Sequence, residues 1–147
     1  MPKILIVEDN PVNMALAVFL LQSAGYAVLT AADAEAGLKL ARGDDRPDLI
    51  LMDIQLPDMD GLEATALLKQ DEATRAIPVV ALTALAMKGD EERIRAAGCD
   101  GYIAKPLAYR EFLATISAHL ATAPPKNNEK VLAALDEANR RESPTKK

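Results

Sequence analysis

Two hydrophobic patterns alternate along the chain. Short unbroken apolar runs end abruptly in polar groups: Ile4–Val7 runs into Glu8, Asp9 and Asn10, Leu49–Met52 into Asp53, and Val79–Leu82 into Thr83. Runs of this length flanked by turn-formers predict strands buried on both faces of a parallel sheet. Tyr26–Thr30 and the short Tyr102-Ile103-Ala104 predict two more strands, the latter ending at Lys105-Pro106. Between them lie stretches whose apolar residues recur at helical spacing.

Asn10 is suited to cap the first helix and Pro11 to open it. That helix is expected to bury Val12, Ala15, Leu16, Phe19 and Leu20 and to stop at Gly25. Asp33 is placed to cap a second helix running through Leu40 and Ala41, followed by a loop at Gly43–Pro47. A third helix, containing Leu62, Ala66, Leu67 and Leu68, follows the turn-rich Pro57, Asp58, Asp60 and Gly61. A fourth carries the charge-dense Lys88–Arg95 up to Gly98, and a fifth shows a stripe of Phe112, Leu113, Ile116 and Leu120. Five strands alternating with five helices, at about 20–25 residues per unit, imply an α/β fold with right-handed crossovers.

This first domain is expected to occupy residues 1–123, with Pro124-Pro125 a stiff break before a tail at 124–147. In the tail, Asn128 can cap a short helix over about 128–141 whose stripe is Val131, Leu132, Leu135 and Ala138. A helix of that length is marginal alone in water, so it either frays or docks on its own domain or a second subunit.

Composition narrows the class. Half of the 147 residues are hydrophobic and only 3% aromatic, so the core is aliphatic. One cysteine, Cys99, excludes an internal disulfide framework. Neither a signal-peptide pattern nor a run of membrane-spanning length appears, which leads us to expect a cytoplasmic protein without membrane contact. Residues 1–123 carry 11 Lys/Arg and 18 Asp/Glu, and residues 124–147 carry 6 and 4, so an acidic body precedes a mildly basic tail. An acidic body argues against direct nucleic-acid binding, which needs a clustered basic face.

The chemistry lies where the strands end, the edge at which open α/β sheets bind ligands. There the chain places, in order, Glu8 and Asp9, Asp53, Thr83 and Lys105. Gathered carboxylates repel one another unless a cation sits among them. Mg²⁺ suits Asp9 and Asp53 with Glu8 nearby, since it takes one or two carboxylates together with phosphate oxygens. A carboxylate beside that ion can attack a phosphoryl group and become an aspartyl phosphate, a transfer catalysed mainly by positioning and charge neutralisation. Lys105 can reach a phosphate oxygen as a point charge, and Thr83 can donate a hydrogen bond to another beside the small Ala84. Singly, each residue has an ordinary reading as cap, strand former or solvated charge. Their common placement on one sheet edge favours a site.

IVEDN, LILMDIQLPDMDGLE, PVVALTA and GYIAKP, in this order and spacing, resemble receiver domains of two-component response regulators over about residues 3–120. The resemblance implies a doubly wound, flavodoxin-like five-stranded parallel sheet of order 2-1-3-4-5 with five flanking helices. It implies Asp53 as phosphoacceptor from a histidine kinase or histidine phosphotransferase. Mg²⁺ would be held by Asp9, Asp53 and the backbone carbonyl of Gln55, with Glu8 assisting. Thr83 and Tyr102 would form the switch pair, Lys105 the phosphate partner, and the bond preceding Pro106 would be cis. A regulatory domain rather than an enzyme follows, promoting only its own phosphorylation and dephosphorylation, and acting on a downstream protein through the surface of the fourth helix, fifth strand and fifth helix. Within that family, the stretch AMKGDEERIRAAGCDGYIAKP resembles the DivK type of stand-alone receiver. A monomer or weak homodimer is expected.

Two other functions compete. Haloacid-dehalogenase-type phosphatases also combine a nucleophilic Asp with Thr or Ser, Lys and Mg²⁺, but want a second Asp where this chain has Gln55. A phosphorylation-independent docking domain would not need the whole acid, Thr and Lys set. His119, the only histidine, reads as a surface residue, Cys99 as a small buried thiol and Asp90–Arg95 as a solvated helix face. No effector region is read after residue 123, so output is expected through protein contact or phosphate relay.

Overall fold

A computed structural model describes residues 1–84 and 88–122. The elements follow in strict alternation: β1 Lys3–Val7, α1 Pro11–Ser23, β2 Ala27–Ala31, α2 Ala34–Arg42, β3 Leu49–Asp53, α3 Gly61–Gln70, β4 Val79–Thr83, α4 Lys88–Ala96, β5 Gly101–Ala104 and α5 Tyr109–Thr122. All strand pairs are parallel, and the sheet order is β2-β1-β3-β4-β5. The expected tail helix at 128–141 lies outside the described residues.

The apolar runs form the central strands because a parallel sheet covered on both faces has no solvated side. Ile4–Val7 and Leu49–Met52 are accordingly buried to the last atom or nearly so. One face packs against α2, α3 and α4 through Leu38, Leu62, Leu68 and Ile94. The other packs against α1 and α5 through Leu20, Leu21, Phe112, Ile116 and Leu120. The α5 stripe is thus the core contact that its spacing predicts, while β2 is shifted one residue from the expected Tyr26–Thr30.

Local signals set the helix ends. The Asn10 side chain accepts from the backbone N–H groups of Val12 and Asn13, with Pro11 following. Asp33 caps α2 by accepting from Ala36 N–H. At the far end of α1, Gly25 at φ +94° lets Tyr26 N–H reach Leu21 O and Gly25 N–H reach Gln22 O, closing two orphan carbonyls.

The buried face of α1 differs from expectation. Ala17, Leu20 and Leu21 face the core, while Val12 is 75%, Leu16 42% and Phe19 65% exposed and Ala15 is also exposed. Of the expected set only Leu20 is buried. PVNMALAVFLLQS is apolar almost all round, so periodicity cannot fix which stripe turns inward. His119 is half-buried rather than on the surface. Its ring lies so close over Gly101 that a Cβ there would sit 2.4 Å from Nε2. Cys99 is a buried thiol, as expected. Among the described residues no helix is long and apolar enough to cross a membrane.

Candidate functional site

The sheet ladder extends one residue beyond three strands and thereby fixes the acids and the lysine. Glu8 N–H donates to Ala31 O at 3.0 Å, Ile54 N–H to Leu82 O at 3.2 Å, and Lys105 N–H to Thr83 O at 2.8 Å. Backbone bonds of this kind hold Glu8, Asp53 and Lys105 at one rim of the sheet. The loop after Asp53 is folded back upon it: Gly61 N–H donates to Ile54 O at 2.8 Å, and a Cβ at Gly61 would come within 2.0 Å of Asp53 O. Only glycine permits that approach.

Lys105 Nζ lies 3.0 Å from Glu8 Oε1 and 3.1 Å from Asp53 Oδ2. Asp53 Oδ1 accepts from Gln55 N–H at 3.0 Å, and Glu8 Oε2 accepts from Asn10 N–H at 3.1 Å. Glu8 and Asp53 are 2% and 4% exposed, whereas Asp9 faces solvent at the rim. Burial, and then the neighbouring Asp53, pushes the Glu8 carboxyl above its ordinary range, partly offset by Lys105 and the Asn10 backbone. Burial alone would lower Lys105, but hydrogen bonding and charge from Glu8 and Asp53 outweigh it and raise the ammonium.

The rim fits a hard divalent cation. Glu8, Asp9 and Asp53 each offer an oxygen within 4.8 Å of the others, and among the described residues Lys105 pairs with Glu8 and Asp53. Glu8 Oε1 has the Lys105 ammonium as its ion-pair partner and no further hydrogen bond among the described residues. An excess of carboxylate with an under-partnered buried oxygen is the donor set that Mg²⁺ prefers.

A cleft of about 450 Å³ opens beside Asp53, with Gln55, Thr83, Ala84, Arg93 and Lys105 among its walls. Thr83 is buried at the end of β4. Tyr102 is half-buried and packs with the α2, α3 and α4 side of the core. The Lys105–Pro106 peptide bond is cis. The structure therefore gathers Glu8, Asp9, Asp53 and Lys105, with Gln55 and Thr83 on the wall.

Sequence reasoning passed over three residues around the cleft. Asp58, read only as a turn residue, accepts from the backbone N–H groups of Ala34 and Glu35 at 2.9 and 3.0 Å, clamping the loop after Asp53 to the start of α2. The first of these bonds is the main cause of its lowered carboxyl pKa. Asp60 caps α3 through Leu62 N–H and sits 3.9 Å from Arg93, itself a cleft wall. Helix-cap spacing could have flagged Asp60; nothing local announces the long-range partners of Asp58 or Arg93.

Residues 4–117 match the model of the response regulator receiver domain, and the chain belongs to that family. Within it the chain is DivK-like. It is 52% identical over 124 residues to the polar-differentiation response regulator DivK of Brucella anthropi, covering 84% of this chain and all of that relative. The Brucella ovis DivK is likewise 52% identical, over 82% of this chain and 97% of its own. Among solved structures, the receiver domain of the sensor histidine kinase PA1611 from Pseudomonas aeruginosa, with magnesium coordinated in its active-site cleft, is 39% identical. It superposes with a TM-score of 0.76 over 82% of this chain and 98% of that one. The Vibrio cholerae chemotaxis protein CheY4 is 30% identical with a TM-score of 0.76, covering 80% and 98%. The chain is a regulatory receiver domain of a two-component system.

Proposed function

We propose that Asp53 is the phosphoacceptor of a phosphorelay switch acting in the cytoplasm. The observation that carries this reading is Asp53 itself: buried at the rim, next to Glu8 and Asp9, and touching Lys105. Mg²⁺ held by Asp9, Asp53 and the Gln55 carbonyl, with Glu8 assisting, would supply charge neutralisation for incoming phosphoryl oxygens. An Asp53 carboxylate oxygen attacks the phosphorus of a phosphohistidine on a histidine kinase or phosphotransferase. The P–O bond forms as the P–N bond breaks, and the departing imidazole takes up a proton. Lys105 exchanges its contact with Asp53 for one with a phosphoryl oxygen, which keeps a charge-assisted partner on both.

The new group adds nearly two negative charges and three acceptor oxygens. Thr83 turns its hydroxyl toward one of them, and Tyr102 moves into the space released. The α4–β5–α5 surface then changes for a protein target, a local charge event biasing a two-state element. Catalysis is confined to the domain's own phosphorylation and dephosphorylation.

Backbone NMR before and after phosphorylation tests the switch. Resonances of Thr83 and of residues 101–105 should shift in the wild type, and the Thr83→Ala variant should lose the Tyr102 shift while still gaining phosphate. Spectra that change only around Asp53 would sink the switch and leave the acceptor reading standing.

A further inference from the structure

Asp58 lies in the loop after β3, and both of its carboxylate oxygens bond to a different element. Oδ1 accepts from Ala34 N–H at 2.9 Å and Oδ2 from Glu35 N–H at 3.0 Å. These are the first two residues of α2, and the N–H of the third, Ala36, is taken by the helix's own cap Asp33 at 2.8 Å. A helix already capped by its neighbour thus receives a second carboxylate from 24 positions further along the chain. The positive end of the helix dipole favours that charge. Capping alone does not call for so distant a partner; holding the loop does.

The tether closes a circuit around the rim. Ala31 O, at the end of β2, accepts from Glu8 N–H at 3.0 Å, and α2 starts three residues later at Ala34. Asp58 therefore joins the loop after β3 to the segment that already holds the chain after β1. Between Gln55 and Asp58 stand only Leu56 and Pro57. The proline ring fixes its own φ near about −65° and confines the preceding Leu56 to extended backbone. So stiff a link carries the restraint at the Asp58 carboxylate back to the Gln55 peptide. Leu56 and Met59 also pack against the core. Apolar contact is non-directional and leaves a peptide free to turn, whereas a hydrogen bond fixes its orientation.

We propose that Asp58 is a positioning residue for metal binding: its two bonds to the start of α2 fix the loop that carries the Gln55 carbonyl. This rests on the reading that Mg²⁺ is held by Asp9, Asp53 and that carbonyl. Asp58 acts on the ion only through the loop.

Calorimetric titration of the full chain with Mg²⁺ tests the role. Asp58→Ala should weaken the affinity about tenfold, the lower end of what losing a partner just outside the ligands costs a metal site. Asp58 is exposed, so the core stays intact, and cooperative thermal unfolding of the variant checks this. Asp33→Ala removes a bond from the same end of α2 but leaves the loop tethered, and it should keep the wild-type affinity. Carbon-13 NMR gives the local readout. The Gln55 carbonyl resonance should move on adding Mg²⁺ to the wild type, and Asp58→Ala should need about tenfold more Mg²⁺ for the same change. Wild-type affinity in Asp58→Ala, or an equal loss in Asp33→Ala, would overturn the positioning role and leave the metal site standing. A wild type that binds no Mg²⁺, or whose Gln55 carbonyl is unmoved by it, would overturn the site reading and this role together.

Discussion

Asp9→Asn should have opposite effects with and without Mg²⁺, because Asp9 contributes repulsion to the metal-free site and a ligand to the loaded one. Its carboxylate oxygen lies within 4.8 Å of those offered by Glu8 and Asp53, whereas the Lys105 ion pairs are made by Glu8 and Asp53. At that separation a pair of like charges costs about 0.9 kcal/mol at the dielectric of water and about 3.5 kcal/mol at an effective value near 20. Asp9 is exposed, so the lower figure governs, and salt at about 0.1 M weakens it further. Two such pairs give a gain of about 1 kcal/mol for the metal-free variant, or roughly 3–6 °C in melting temperature. Mg²⁺ at about a hundred times its dissociation constant should stabilise the wild type by about 2.7 kcal/mol. The variant should gain far less, so the order of the two melting temperatures reverses. Thermal unfolding of both proteins, with chelator and with excess Mg²⁺, reads this directly. A variant less stable than wild type in chelator, or one stabilised as much by Mg²⁺, would refute the reasoning.

Three further outcomes follow from the geometry. The Glu8 carboxyl is raised, so its contribution to metal-free stability is complete below the ordinary Glu range near about 4.3 and is lost as pH rises through the raised value. Ligation needs the ionised form, so calorimetric Mg²⁺ affinity should strengthen over that same rise; an affinity independent of pH there would contradict the Glu8 role. Asp58 is lowered by the Ala34 N–H, so its contribution is present above about 3.9 and is lost as pH falls through the folded value. The stability gap between wild type and Asp58→Asn, open at neutral pH, should therefore close in acid, and a constant gap would count against the clamp. Phe112→Ala, at a fully buried position, should cost about 3–5 kcal/mol in urea unfolding, and a loss below about 1 kcal/mol would mean that α5 packs differently.

What the sequence discloses depends on how locally each feature is encoded. The strands are legible because Ile4–Val7, Leu49–Met52 and Val79–Leu82 are unbroken apolar runs, and their polar successors mark one sheet rim. Asp53 and Lys105 become visible as partners only through order along alternating β and α units, since their contact joins residues far apart in sequence. The α1 face is not legible: with Val12, Leu16 and Phe19 as apolar as Leu20 and Leu21, only the seating of the helix on the sheet selects between stripes. Asp58 is hidden for another reason. Its acceptor role depends on the backbone of Ala34 and Glu35, and backbone donors leave no trace in residue identity. The contact of His119 with Gly101 likewise exists only once α5 lies over β5.

The rim carboxylate as phosphoryl acceptor is tested most directly by intact-mass measurement after incubation with a small phosphodonor. With Mg²⁺ the wild type should gain one phosphoryl group, with chelator it should gain none, and Asp53→Asn should gain none in either condition. A phosphoryl group on Asp53→Asn, or equal uptake by the wild type without the metal, would contradict the account.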